Sequence, residues 1–297
     1  MTGFSSTPLE LLCSWLRNQL PPSSWEWLAE KMRVVQGETS DRYFYLAISL
    51  VPRKIGKDDL TLTIQDINDA HQARSGWTPV GWSFDQAARI ALLLSSTRAK
   101  KSFVERLDQL CNSADVGELI TFYRGLPLYP DQEALITRAC EGARTNIKGV
   151  FEAVAHHNPY PREQFDENAW NHMVVKALFM GSTLHLIQGL DERRNPTLMR
   201  MLCDCAHERR AAGRNIHPEL WRCVGPFADQ PALADLRQGF SSSNPLERKA
   251  AALALKECPA PEAQKILETD HELCLGIDTG RVSWENIFRE VDKHGHN

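Results

Sequence analysis

Acid/base-capable side chains gather between residues 144 and 221 of this 297-residue sequence. Glu141, Thr145, Lys148, Glu152 and His156 recur at three- and four-residue steps. On one helix that spacing would align them along a single face, with Arg144 one turn before Lys148. The row runs into His156-His157-Asn158-Pro159-Tyr160-Pro161, where two adjacent imidazoles meet a proline-fixed turn. Imidazole changes charge near neutral pH, so Glu and His together at a helix end are the material of general acid–base chemistry. Such a row is ordinarily a solvated face laced with ion pairs. The sharper expectation is the wall of a cleft in which Arg144, Lys148, Glu152, His156, His157, Asn158 and Tyr160 meet a ligand.

A second group comprises His172, His185, Asp204 and His207. Asp204 and His207 lie three apart on one predicted helix, so both can point at a common atom, and with His185 or His172 they would make a carboxylate–histidine metal site. No H-E-x-x-H or paired C-x-x-C spacing accompanies them, and isolated helix histidines are more often hydrogen-bonded core or surface groups. No metal is assigned; His185, Asp204 and His207 are kept as ligand-contacting candidates. The Arg-rich stretch around Arg193, Arg194, Arg200, Arg209, Arg210, Arg214 and Arg222 reads as a helix surface or as an anion site. Neither G-x-G-x-x-G, a P-loop nor G-x-S-x-G occurs, so no cofactor is assigned and a catalytic signature is lacking.

The elements that must position these groups are helical. Thr7-Pro8, Asp166, Asn195-Pro196, His217-Pro218 and Asn244-Pro245 read as helix starts, and Gly213 as a C-terminal stop. Apolar residues at helical spacing predict the longest helix over 132–156. Phe44, Leu46 and Ile48 alternate like a strand but, among amphipathic neighbours, predict a buried helix stopped by Pro52. Residues 53–82, with Gly56, Gly76, Pro79 and Gly81, are the place for a long excursion or lid. From Asn244 a capped start followed by Ala250, Ala251, Ala252 and Ala254 resembles the second half of a HEAT-type repeat. The expected class is all-α, an irregular α-α superhelix with HEAT-like helical repeats. It divides into an N-terminal helical region (1–125), a core with the candidate site (126–230) and C-terminal HEAT-like helices (231–297), all in one continuous helical domain.

Composition bounds the function. Hydrophobic content of 42% and charged content of 24% are those of a globular chain. A formal net charge of -4 argues against a sequence-blind grip on nucleic acid. There is no apolar run of membrane-spanning length and no secretory signal, and the eight cysteines form no C-x-x-C pair. A reduced, cytoplasmic protein is expected.

Blocks in order along the chain carry a resemblance: residues 121–127 (TFYRGLP), 144–148 (RTNIK), 155–161 (AHHNPYP), 165–171 (FDENAWN), 176–179 (KALF), 189–193 (GLDER), 206–209 (AHER), 211–214 (AAGR) and 218–222 (PELWR). Together they resemble the EboA-domain family, with Arg210 where the family pattern leads one to expect an aromatic residue. The resemblance implies a role in the biosynthesis or traffic of a secondary metabolite toward the periplasm. It also implies partner enzymes of one pathway, a membrane prenyltransferase among them. It assigns no reaction. The leading expectation is therefore a protein that binds a small polar or amphipathic metabolite, partner enzymes, or both. The alternative is an enzyme acting on a cyclitol or sugar-like intermediate by His/Glu acid–base chemistry, with or without a metal.

Overall fold

Helix starts in this protein are written in capping residues. Thr7, Thr63, Ser102 and Asp115 each accept the backbone N–H three residues on, and the acidic residue there bonds back to the cap. Asp166, Asn195, Asp229 and Asn244 cap with the side chain alone. The computed structural model describes residues 6–37, 41–96 and 102–294, with the side chains of residues 292 and 294 left aside. Among these residues all regular structure is helical apart from isolated bridge residues, such as the antiparallel pair Asp59 and Ser83. The all-α class expected from the sequence is what the structure shows.

The chain forms two compact units, residues 1–165 and 166–297. The N-terminal unit contains α1 (Pro8–Gln19), α2 (Pro22–Gln36), α3 (Asp41–Ile55), α4 (Ile64–Ala73), α5 (Phe84–Ser95), α6 (Phe103–Ser113), α7 (Val116–Arg124), α8 (Ile136–Arg144), α9 (Lys148–Ala155) and α10 (Tyr160–Gln164). Its centre is α5, apolar on nearly every side and packed against α1, α2, α3 and α7. The one cation on α5, Arg89, is buried and paired with Asp85 at 2.5 Å and with Glu118 of α7 at 3.2 Å. A charge taken out of water is tolerated only with such partners, so this network fixes α7 on α5.

Three sequence expectations are corrected here. Pro52 does not stop its helix: α3 continues to Ile55, because the apolar stripe Phe44, Ala47, Ile48, Val51 and Ile55 runs past the proline and stays buried. That burial offsets the ~3 kcal/mol an interior proline costs. Residues 53–82 are not a bare excursion, since α4 forms within them and Leu60 N–H donates to Trp82 O at 2.8 Å. The helix expected over 132–156 is three pieces: a 3-10 turn (Gln132–Leu135), α8 and α9.

The C-terminal unit holds α11 (Glu167–Met180), α12 (Pro196–Ala211), α13 (Gln230–Phe240), α14 (Pro245–Glu257), α15 (Pro261–Leu267), α16 (His271–Asp278) and α17 (Trp284–His294), with 3-10 turns at Pro218–Cys223 and Gly225–Phe227. Here α14 is central, and its alanines let backbones approach: a Cβ at Gly225 would lie 2.4 Å from Ala254 O. Residues 181–195 form an irregular connection that nonetheless buries Leu184, Ile187 and Leu190.

Candidate functional site

The break between α8 and α9 creates the site. Thr145 leaves the helix with extended backbone, and its hydroxyl accepts the Ile147 N–H at 3.2 Å. A side chain that competes for backbone donors in this way favours a turn over continued helix. Helices α8 and α9 then fold onto each other and onto α7. Gly142 makes that approach possible, since a Cβ there would meet the Tyr123 ring and Val154 below 3.0 Å. The five residues from Glu141 to His156 therefore do not share one helical face.

Helix α9 ends at His156, whose backbone is extended, and His157 takes φ +50, a conformation few non-glycine residues adopt. Asn158 holds this turn. Its amide donates to Tyr123 O and Ala153 O, both at 3.0 Å, and its carbonyl accepts the Tyr160 N–H at 3.0 Å. Asn158 and Tyr160 are buried, and the Tyr160 hydroxyl donates to Gln132 O at 2.5 Å. Burial, with the nearby Cys140 adding to it, pushes the Tyr160 phenol above its ordinary range. These two candidates are the frame of the turn.

Facing it stands the segment after α4. Gly76 and Gly81 have positive φ, and between them Trp77, Thr78 and Val80 line the same cleft as Trp82. Trp77 packs between Trp15 (ring centroids 5.6 Å apart) and Trp82 (6.1 Å). Its indole N–H is buried without a hydrogen-bond partner among the described residues. Arg74 anchors the segment, donating to Pro127 O at 2.9 Å and pairing with Glu163 of α10. From α7, Arg124 donates to Gly81 O at 3.0 Å and to Gln86 Oε1 at 2.9 Å, and burial holds its pKa below the ordinary arginine value.

The resulting cleft measures about 210 Å³, and Glu152, His156, His157 and Asn158 line it beside the two tryptophans and Arg124. Gly149 lies in its wall, where a Cβ would come within 3.2 Å of the Ile120 side chain. Lys148 Nζ stands 3.8 Å from Glu152 Oε1 and half exposed, an ion pair of small energetic weight. Arg144, at the end of α8, is exposed. Donors, a carboxylate, imidazoles and buried aromatic side chains thus border one small space.

His185, Asp204 and His207 belong to the C-terminal unit. His185 Nδ1 lies 2.7 Å from Glu219 Oε1, and its ring stacks on Phe288 at 4.6 Å. The Glu219 side chain is fully buried and also accepts the N–H groups of Leu184 and His185. Burial pushes the Glu219 carboxyl up, but the His185 hydrogen bond, the His217 and His185 charges and the Leu184 N–H together hold it below its ordinary value. The His217 pKa is held low by burial, and its Nδ1 lacks a hydrogen-bond partner among the described residues. His207 Nε2 lies 2.6 Å from Asp235, which Arg210 also meets at 3.2 Å. Asp204 and His172 are exposed. Among the described residues no three His, Cys, Asp or Glu side chains cluster as metal ligands would.

The sequence reading missed Trp77, Trp82, Arg124 and Gly149 in the cleft, and Glu219 with His217 in the C-terminal unit. The two tryptophans had a signal, aromatic residues inside a Gly/Pro-rich stretch already marked as a lid. Glu219 had none, since a Glu after His-Pro reads as the exposed first turn of a helix.

No helix is long and apolar enough to cross a membrane among the described residues. The family model for EboA, described as metabolite traffic protein EboA, matches residues 9–225. No curated protein and no solved structure matches the chain. The match spans most of the sequence, including every residue that lines the cleft, and the chain belongs to the EboA family.

Proposed function

We propose that this EboA-family protein serves the biosynthesis or traffic of a secondary metabolite by holding a small molecule with polar and apolar parts in the cleft of its N-terminal unit. The observation that carries the reading is the meeting of Glu152, His156 and His157 with the indoles of Trp77 and Trp82 around one space of about 210 Å³. Sites for drug-sized ligands begin near ~300 Å³, so the cleft suits one ring or one end of a larger molecule. Trp77 and Trp82 are almost fully buried, so they give the cleft a firm apolar wall more than a face for stacking. Glu152 accepts from hydroxyl or ammonium groups, while Arg144 and Lys148 are assigned to the rim. The proposal rests on the N-terminal residues alone. Docking on enzymes of the same pathway, a membrane prenyltransferase included, belongs to the same reading, and co-purification tests it.

The test is a panel of small amphipathic metabolites scored by melting temperature and tryptophan fluorescence. A ligand present at a hundred times its Kd stabilises by about 2.7 kcal/mol, well within detection. A hit whose effect disappears in Gly149→Leu, which fills the cleft, supports the reading. Hits unaffected by that substitution, or an unresponsive panel, overturn it.

A further inference from the structure

The C-terminal unit carries a concavity unlike the cleft in its chemistry. The end of α13, the start of α14, α15 and the turn into α16 surround a groove of about 500 Å³. Its apolar part is Phe240 and Ile266, both buried. Around them stand Arg237, Arg248 and Lys265, against the single carboxylate of Asp270. Asp270 is already committed: Oδ1 caps α16 by accepting the Leu273 N–H at 3.0 Å, and Oδ2 pairs with Arg248. Arg237 and Lys265 are exposed, and neither side chain has a hydrogen-bond or ion-pair partner among the described residues. In a chain of net charge -4, two uncompensated cations beside a third around one groove reverse the local sign.

Each part of the groove asks for a different part of a ligand. A guanidinium offers a planar fork that matches phosphate oxygens, and an ammonium adds a point charge. Phe240 and Ile266 gain nothing from a bare inorganic anion but favour an apolar body attached to it. The volume falls in the range of small-molecule sites. From this we infer that the groove binds an organic phosphate, a phosphate group carrying an apolar body, either free in solution or as a lipid headgroup. This site lies beyond residue 225, outside the family match, and does not depend on the ligand of the cleft.

Phenyl phosphate, inorganic phosphate and phenol are titrated calorimetrically into the full chain, and vesicles with and without phosphatidic acid are tested by co-sedimentation. The Arg237→Ala/Lys265→Ala variant is expected to fold as the wild type does, since both side chains are exposed and unpaired. Arg289→Ala, removing an exposed cation outside the groove, is the control. The expected result is phenyl phosphate binding that exceeds that of phosphate or phenol, weakens with added salt, falls about tenfold or more in the double variant and is unchanged in the control. Capture by phosphatidic acid vesicles with the same loss in the double variant, without phenyl phosphate binding, supports the site and assigns it to a lipid headgroup. Binding of neither probe, or equal binding by wild type and double variant, overturns the proposal. Equal affinity for phenyl and inorganic phosphate overturns the role given to Phe240 and Ile266.

Discussion

Two histidine–glutamate groups of this protein look alike as sequence and differ as structure. In the N-terminal unit, Glu152, His156 and His157 line a cleft walled by Trp77 and Trp82. In the C-terminal unit, Glu219 is fully enclosed and spends its oxygens on His185 and on the backbone of residues 184 and 185. The first group borders open space. The second does what secondary structure cannot do for residues 181–195, supplying acceptors for a connection that is buried yet irregular. Density of ionisable residues therefore says little about function until burial divides the groups that face space from those that face backbone.

That division predicts opposite outcomes for paired substitutions. The largest effect belongs to Glu219→Ala, which strips the His185 ring and the N–H groups of Leu184 and His185 of their acceptor and should cost about 3–5 kcal/mol in urea unfolding. Asn158→Ala removes three buried hydrogen bonds from the His156–His157 turn and should cost about 1–3 kcal/mol. Ligand binding should weaken as well, because the turn aims the imidazoles. Acid should act through the C-terminal group. His217 is held below its ordinary pKa and Glu219 below its own, so for both the unfolded chain binds more protons. The His217 contribution is complete above its unfolded pKa near 6.5 and declines as pH falls below it. That of Glu219 is complete above about 4.5 and is lost as pH falls through its lowered folded value. Melting temperature followed from pH 7 to pH 3 should fall through both ranges, and Glu219→Gln should shrink the lower fall, to which the lowered carboxyls of Glu10, Asp66 and Asp270 still contribute. The smallest stability effect is expected for Glu152→Gln, within about 0.5 kcal/mol of wild type, although this variant should bind the metabolite poorly. A Glu152 variant as destabilised as the Glu219 variant would dissolve the contrast.

Much of this could be read from the sequence where the signal was local. The caps at Thr7, Asp166, Asn195 and Asn244 and the turn after Ala155 depend on a few neighbouring residues, and all formed where expected. The split of residues 132–156 was hidden because two helices that pack on each other keep one apolar rhythm. Ile136, Ala143, Val150 and Val154 fit a single stripe as well as two. The informative residues were Gly142, small enough for Tyr123 and Val154 to approach, and Thr145, whose hydroxyl takes a backbone donor. A helical-repeat period could not be read from the one motif copy at Asn244, because a period needs more than one copy. Half of the cleft was legible as the His156–Asn158 turn. The other half comes from Trp77 and Trp82, some 70 residues earlier, held opposite by Arg74 through Pro127 and Glu163 and by Arg124 through Gly81 O.

The central claim is that the N-terminal cleft, and not the buried Glu219 group, meets the metabolite. Native mass spectrometry of the protein purified from its own host, beside Gly149→Leu purified identically, tests this most directly. The account predicts a small molecule retained by the wild type and missing from the variant, with both stripped proteins folded by circular dichroism. A molecule retained equally by both would contradict it.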